Sequence, residues 1–188
     1  PLRAIDGLSR IIESDLENVL PENSRQHIEK LRQRVKRMEK FLDDILAYAR
    51  IDQAIERDAG DLADGETIIQ EIIDLLEPRP GISIKVGKHL LKTKIPRMPV
   101  QQVLRNLVDN AVKHHDKETG EVIVDITEDQ DKERYIFSIR DDGPGIEPQY
   151  HQKIFEMFQT LQPRDKIEGS GMGLAFVKKI LSFYGSDI

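Results

Sequence analysis

The 188-residue sequence contains no cysteine, which excludes disulfides, thiolate zinc sites and cysteine nucleophiles. That absence is compatible with a reducing cytoplasm, the location expected of this segment. Long apolar runs are also missing. No stretch approaches the roughly 20 residues needed to cross a bilayer, so no membrane contact is expected of the segment and any anchor of a longer chain is expected upstream. Positive charge is not in excess: 28 Lys and Arg against 34 Asp and Glu leave a net charge of −6, which argues against a nucleic-acid partner. There is no internal repeat, no low-complexity tract and no signal peptide. The first residues, "PLRAID", already lie in a helical pattern, so the sequence is expected to be a fragment. What is present, 38% hydrophobic and 33% charged residues, reads as a soluble globular protein. At this length about 70% of the unfolded surface is expected to be buried.

Periodicity divides the chain. Leu2, Ile5, Ile12, Leu16 and Val19 follow a three-four spacing, with Ser9 at the one polar seam position, until "LPEN" interrupts it. A second run, Ile28, Leu31, Val35, Met38, Leu42, Ile45 and Ala49, alternates steps of three and four without a break, as the seam of a coiled coil does. Ser24 is the expected N-cap, and Phe41, Leu46 and Tyr48 widen the stripe so that this helix faces more than one neighbour. Two such helices form an antiparallel hairpin that cannot bury its stripes alone. It gains a core by pairing with a second copy as a four-helix bundle, so a homodimer is expected. Arg25, Lys30, Arg32, Arg34, Lys36, Arg37 and Lys40 make the second helix basic outside its seam. That face reads either as a solvated surface laced with Glu29 and Glu39 or as a dock for an acidic partner.

The hairpin is assigned to residues 1–50, a linker to 51–61 and a second domain to 62–188. "GETIIQEIIDLLEP" reads as an amphipathic helix closed by Pro78, and "GISIKV" as a strand. "PVQQVLRNLVDNAVKHH" is a helix with Val100, Val103, Leu104, Leu107, Val108, Ala111 and Val112 on its buried stripe. "EVIVDITED" and "RYIFSIRDD" alternate as strands around the polar turn "DQDKE", and "GLAFVKKILSFYG" is a last helix stopped by Gly185. The order gives an α+β fold: a helical hairpin followed by an α/β sandwich with a mixed, mostly antiparallel sheet.

The chemistry-bearing residues cluster in this second part. "DDGPG", residues 141–145, leaves a strand, and "GSGMGL", residues 169–174, opens a helix. Glycines at a helix mouth let backbone N–H groups approach phosphate oxygens, and the helix dipole favours the charge found there. Either motif alone is weak: "DDGPG" by itself reads better as an ordinary Asp-Gly turn, and G-x-G-x-G after a loop, without the P-loop lysine, fits neither a dinucleotide fingerprint nor a P-loop. Asn106, Asn110 and Lys113, spaced four and three apart on one helix face, can converge on one ligand, and asparagine carbonyls are hard donors suited to Mg²⁺. An amide on a helix is also an ordinary surface residue. The order N-x-x-x-N-A-x-K, D-x-G-x-G, F-x-x-F, G-x-G-x-G-L is what makes chance a poor reading.

With these motifs the chain resembles the sensor histidine kinases, whose ATP-binding domain belongs to the group that includes gyrase and MutL. "PLRAIDGLSRIIESDLENVL" and "RMEKFLDDILAYARI" are similar to the dimerisation and phosphotransfer hairpin. "NLVDNAVKHH" resembles the N-box, "DDGPGI" and "GSGMGLAFVKKI" the two glycine boxes, and "IFEMF" the phenylalanine box. The resemblance implies an ATP or ADP site with Mg²⁺ held by Asn110 with help from Asn106, and Lys113 on phosphate or ribose. It implies Asp141 on the adenine amino group, Gly143 and Gly145 beside the base, and a lid from about 146 to 172. Ile146, Ser170, Met172 and Leu174 flank the motif glycines Gly169, Gly171 and Gly173 and join the binding set. Phe155 and Phe158 anchor the lid, and Arg164 is a candidate γ-phosphate contact. His114 stands where the family often has Tyr or Phe, as a pocket wall, whereas His115 and Asp116 are expected only to end the helix.

The family's phosphoacceptor lies in H-[ED]-L-[RK]-x-P-L, and this sequence starts at the Pro1-Leu2 of that motif. The acceptor and its acidic neighbour are therefore expected upstream, and no catalytic residue is assigned within the chain. A further strand or hairpin is expected after "YGSDI". The resemblance implies autophosphorylation on the hairpin, transfer to an aspartate of a response regulator receiver domain, and an upstream sensor domain. The fragment itself is expected to bind nucleotide without phosphorylating itself. Two other readings stay open: an ATPase or chaperone of the same superfamily, and a dimeric scaffold that uses nucleotide only as a structural ligand.

Overall fold

A computed structural model describes residues 1–16, 19–58, 60–76, 80–129, 134–161 and 169–188. The chain forms two compact units, Pro1–Arg50 and Ile51–Ile188.

The first unit holds α1 (Leu2–Asp15) and most of α2 (Glu22–Arg57). The polar seam residue of α1 is accommodated locally: Ser9 is buried and its hydroxyl donates to the Asp6 carbonyl at 2.7 Å. Ion pairs tie the helices together, with Arg32 reaching Asp6 at 3.5 Å and Glu13 at 3.1 Å. Arg32 therefore belongs to the hairpin's own contact and not to a uniformly solvated face. Ser24 does not cap α2. The helix starts two residues earlier, at Glu22, and the Ser24 N–H bonds to the Pro21 carbonyl at 2.8 Å. Among the described residues of this unit, Val35 is the one buried large hydrophobic side chain, while Ile5, Leu8, Ile12, Leu31, Met38, Leu42 and Leu46 are exposed in the single chain.

At its other end α2 continues to Arg57, so residues 51–57, expected in a linker, are helical. The seam itself stops there, since its next positions are Asp52 and Glu56, but Ile51 and Ile55 beside them are buried within the second unit. Helix-forming residues and an available apolar surface extend the helix past the point where its seam partner ends.

The second unit stacks helices on a sheet. Strands β1 (Leu62–Asp64) and β3 (Lys94–Pro96) form a small antiparallel pair. Strands β2 (Ile82–Val86), β4 (Gly120–Asp129) and β5 (Arg134–Asp141) form a mixed sheet in the order β2-β4-β5. β2 runs parallel to β4, which requires a crossover, here made by α4 (Lys88–Lys92), β3 and α5 (Arg97–Lys113). β4 and β5 make the expected antiparallel hairpin, with Val122 opposite Asp141. Val122, Val124 and Ile126 alternate inward from β4 onto Ile68, Ile69 and Ile72 of α3 (Gly65–Leu76) and Leu104, Val108 and Val112 of α5. β1, β3 and α4 escape the eye in the sequence because three to five residues carry no readable period.

The last helix, α6 (Gly173–Phe183), buries Ala175, Phe176, Val177 and Ile180 and packs beside α5. Its end is a Schellman motif: Gly185 has φ +62°, its N–H bonds to Ser182 O at 3.1 Å, and Ser186 N–H reaches Leu181 O at 2.9 Å. Among the described residues no helix is long and apolar enough to cross a membrane.

Candidate functional site

The motif residues come from three elements that the core packing brings together: the outer face of α5, the exit of β5 and the mouth of α6. α5 buries Leu104, Val108 and Val112, which turns the face bearing Asn106, Asn110 and Lys113 away from the sheet. Asn106 sits half-buried, and its Nδ2 donates to the Gln102 carbonyl at 2.8 Å. That bond fixes the amide orientation and leaves Oδ1 facing the first residue of α6, where a Cβ on Gly173 would stand 3.0 Å from it. Lys113 is paired with Asp109 at 2.5 Å, one turn back on the same helix. His114 is the C-cap of α5 and is exposed. Partial desolvation of its ring, with the adjacent Lys113 charge, pushes its pKa below the ordinary histidine value although Asp109 opposes this.

On β5, Phe137 and Ile139 pack against the core. Two-residue alternation continues that row to Asp141, which stands at the strand end on the same face. Asp141 Oδ1 accepts the Gly143 N–H at 3.0 Å, and a side chain on Gly143 would meet that oxygen at 2.8 Å. Gly145 takes φ +69°, and exposed Ile146 follows it, its carbonyl accepting from His151 Nε2 at 2.9 Å.

The mouth of α6 has no side-chain cap and no acidic residue in its first turn. Its leading N–H groups and the positive end of its dipole are thus available to an anion. Ser170 Oγ accepts the Met172 N–H at 3.3 Å, Met172 is buried and Leu174 half-buried, and Gly169 has open space around it. Gly171 is held where no other residue fits: φ is +73° and a Cβ would lie 2.8 Å from Phe158 C and Gln159 O. The Phe158 N–H bonds back to Gly171 O at 2.9 Å, and Phe158 itself adopts φ +68°. The phenylalanine and second glycine motifs are thus joined backbone to backbone, and the short 3-10 turn ending at Phe155 packs on α6. Arg164 lies outside the described residues.

One correction concerns His115. It does not simply trail from the helix, which ends at Lys113. Its side chain is fully buried, and its Nε2 lies 2.9 Å from Asp142 Oδ1. Asp142 also accepts the Glu121 N–H at 2.8 Å and the Lys117 ammonium at 2.9 Å. These bonds, the Glu121 N–H first and then His115 and Lys117, hold the Asp142 carboxyl far below the usual carboxylate range. A signal for His115 was present: it continues the Leu104, Val108, Val112 stripe at the next step of three. Asp142 carried none, since its partners come from a strand and a loop distant in sequence.

The chain thus joins a helical hairpin to a mixed-sheet sandwich with glycine-bordered openings at a strand exit and a helix mouth. Comparison with known families gives the class to which this arrangement belongs. Residues 1–54 match the His Kinase A (phospho-acceptor) domain and residues 96–188 the Histidine kinase-, DNA gyrase B-, and HSP90-like ATPase family. The chain belongs to the sensor histidine kinases. It is 28% identical to the Phytochrome-like protein Cph1 of Synechocystis, over 100% of this chain and 25% of that protein. It is 30% identical to Cyanobacterial phytochrome A of Nostoc, over 100% of this chain and 24% of that protein. The chain thus spans about a quarter of the length of these curated relatives. Among solved structures, full-length ShkA in complex with AMPPNP is similar at a TM-score of 0.64 and 28% identity, covering 98% of this chain and 38% of that one. The mycobacterial sensor histidine kinase MprB is similar at a TM-score of 0.52 and 26% identity, covering 66% and 80% respectively.

Proposed function

We propose that this chain is the ATP-binding and dimerising core of a protein-histidine kinase, which directs the γ-phosphoryl group of ATP onto a hairpin histidine and onward to an aspartate of a response regulator receiver domain. The observation that carries the reading is the meeting of α5, the β5 exit and α6, with Asn106 Oδ1 turned toward Gly173 at the uncapped helix mouth. Asp141 accepts from the adenine amino group, a pairing of acceptor and donor that an Asn side chain satisfies less well. Backbone N–H groups of α6 receive the phosphates, and Lys113 exchanges its Asp109 partner for phosphate or ribose. His114 forms a wall of the pocket. Asn110 and Asn106 hold Mg²⁺, which neutralises phosphate charge when bound; amide oxygens on one helix face suit that hard cation. Catalysis then rests on positioning and electrostatics.

Homodimerisation through the hairpin follows from its exposed stripe. Ile5, Leu8, Ile12, Leu42 and Leu46 have 41–60% of their surface exposed in the single chain, a row that a second copy covers in a four-helix bundle. The whole protein is expected to add a sensor domain upstream.

Two measurements test the proposal. Calorimetric titration with MgATP is expected to show binding that Asp141→Asn weakens at least about tenfold, the value of one charge-assisted hydrogen bond; equal affinities refute the pocket. A chain extended upstream through an H-[ED]-L-[RK] motif is expected to form acid-labile phosphohistidine with MgATP. Nucleotide binding without that product would favour the scaffold reading.

A further inference from the structure

We infer that His115 is a positioning residue for nucleobase recognition: as a neutral imidazole protonated at Nε2, it clamps the loop that presents Asp141. The inference rests on the proposed ATP site and adds a residue to it from beyond the end of α5.

The tautomer follows from the two ring contacts. The Lys117 N–H donates to His115 Nδ1 at 3.3 Å, so Nδ1 carries the lone pair. The proton is then on Nε2, which donates to Asp142 Oδ1 at 2.9 Å. A neutral ring satisfies both partners, whereas protonation of Nδ1 would set two donors against each other.

The ring occupies a slot cut for it. Against Gly120 the fit is tight: a Cβ there would stand 2.2 Å from His115 Cε1 and 2.3 Å from Nε2. Gly143 is also near, where a Cβ would stand 3.6 Å from His115 Cδ2. Gly120 opens β4 and is fixed by its N–H bond to Gly81 O at 3.0 Å. Gly143 belongs to the loop leaving β5. The imidazole thus bridges the start of one strand and the exit of its neighbour, at the level where Val122 pairs with Asp141.

Asp142 transmits the constraint. It follows Asp141 directly, and its Oδ1 is held by both His115 Nε2–H and Glu121 N–H. Its backbone carbonyl accepts from the Lys117 ammonium. With Asp142 held on the β4 side, the next peptide directs Gly143 N–H to Asp141 Oδ1. Asp141 Oδ1 is thereby occupied, and its second oxygen is left for the base. Loss of the clamp frees the loop to swing, and the base then has to order it on binding.

The test compares three substitutions in the same chain. His115→Gln keeps an N–H near the Nε2 position, His115→Leu keeps volume without a donor, and Asp141→Asn reports on the pocket itself. Affinities for MgATP and for inorganic tripolyphosphate are measured with melting temperatures. His115→Leu is expected to weaken MgATP about tenfold and to leave tripolyphosphate within about twofold, while His115→Gln stays close to the native MgATP affinity. A long-range ¹H–¹⁵N spectrum of the native imidazole is expected to show Nε2 protonated and Nδ1 bare. Equal MgATP affinity of the Leu and native proteins, with Asp141→Asn impaired, overturns the inference alone. Native affinity in Asp141→Asn overturns it together with the pocket. Parallel loss of both ligands in the Leu and Gln variants, or a proton on Nδ1, reduces His115 to a packing residue.

Discussion

Gly120→Ala places one methyl group where the structure has no room for it. The new carbon would stand 2.2 Å from His115 Cε1 and 2.3 Å from Nε2, where ordinary contacts begin at 3.4 Å, so a retreat of about 1.2 Å is required. The strand cannot supply it, because Gly120 is bonded to Gly81 on one side and β4 is laddered to β2 and β5. The ring is in turn tied in place, its Nε2 to Asp142 Oδ1 at 2.9 Å and its Nδ1 to the Lys117 N–H at 3.3 Å. The imidazole must therefore leave its slot. Overpacking costs about 1–3 kcal/mol, and the broken bonds to Asp142 and Lys117 add about 1–2 kcal/mol, much of it recovered by water once the ring is exposed. A net loss of about 3 kcal/mol corresponds to a fall in Tm of about 6–12 °C for a domain of this size. Differential scanning calorimetry of the variant against the native protein reads this directly. A change in Tm below about 2 °C, with the His115 ring spectrum unaltered, would refute the packing argument, because it would mean that the slot yields without cost.

Other consequences are accessible to simple assays. Leu42→Glu on the exposed hairpin stripe is expected to weaken self-association at least about tenfold, since Leu42 is half exposed in the single chain and each copy loses about 0.8–1.5 kcal/mol of apolar burial; an unchanged sedimentation profile would remove the four-helix bundle. Gly171→Ala forces an L side chain to φ +73° against the Phe158–Gln159 backbone. It should cost about 1–3 kcal/mol and weaken MgATP, and a stable variant with native affinity would show that the link between the two motifs is dispensable. The depressed Asp142 carboxyl contributes stability that is full above the unfolded value of 3.8 and is lost as pH falls through its lower folded value. Urea unfolding between pH 6 and pH 2 is thus expected to be less steeply pH-dependent for Asp142→Asn than for the native chain, and parallel curves would contradict the bonding seen around this residue. For His114, also depressed, the unfolded state binds the proton more readily, so stability falls as pH drops below the ordinary value of 6.5; His114→Asn should flatten that limb.

The sequence by itself determined the hairpin, the principal helices and strands of the sandwich and the identity of the nucleotide motifs. Each of these is carried by something local: the heptad from Ile28 to Ala49, the alternation in β4 and β5, glycines at fixed spacing, and a stop at Gly185 that the Schellman bonds realise. The end of α2 was not legible, because whether residues 51–57 stay helical depends on the surface that buries Ile51 and Ile55. The small strands β1 and β3 pair residues 30 to 34 positions apart, and neither holds together without the other. Tertiary structure alone also decided the fate of the two adjacent histidines. His114 and His115 are chemically identical in the sequence, yet one caps a helix in the open and the other lies buried beside Gly120 with its Nε2 2.9 Å from Asp142 Oδ1. Local sequence sets where a helix stops, but what receives the next side chain is set by the start of one strand and the exit of another, which only the folded sheet places together.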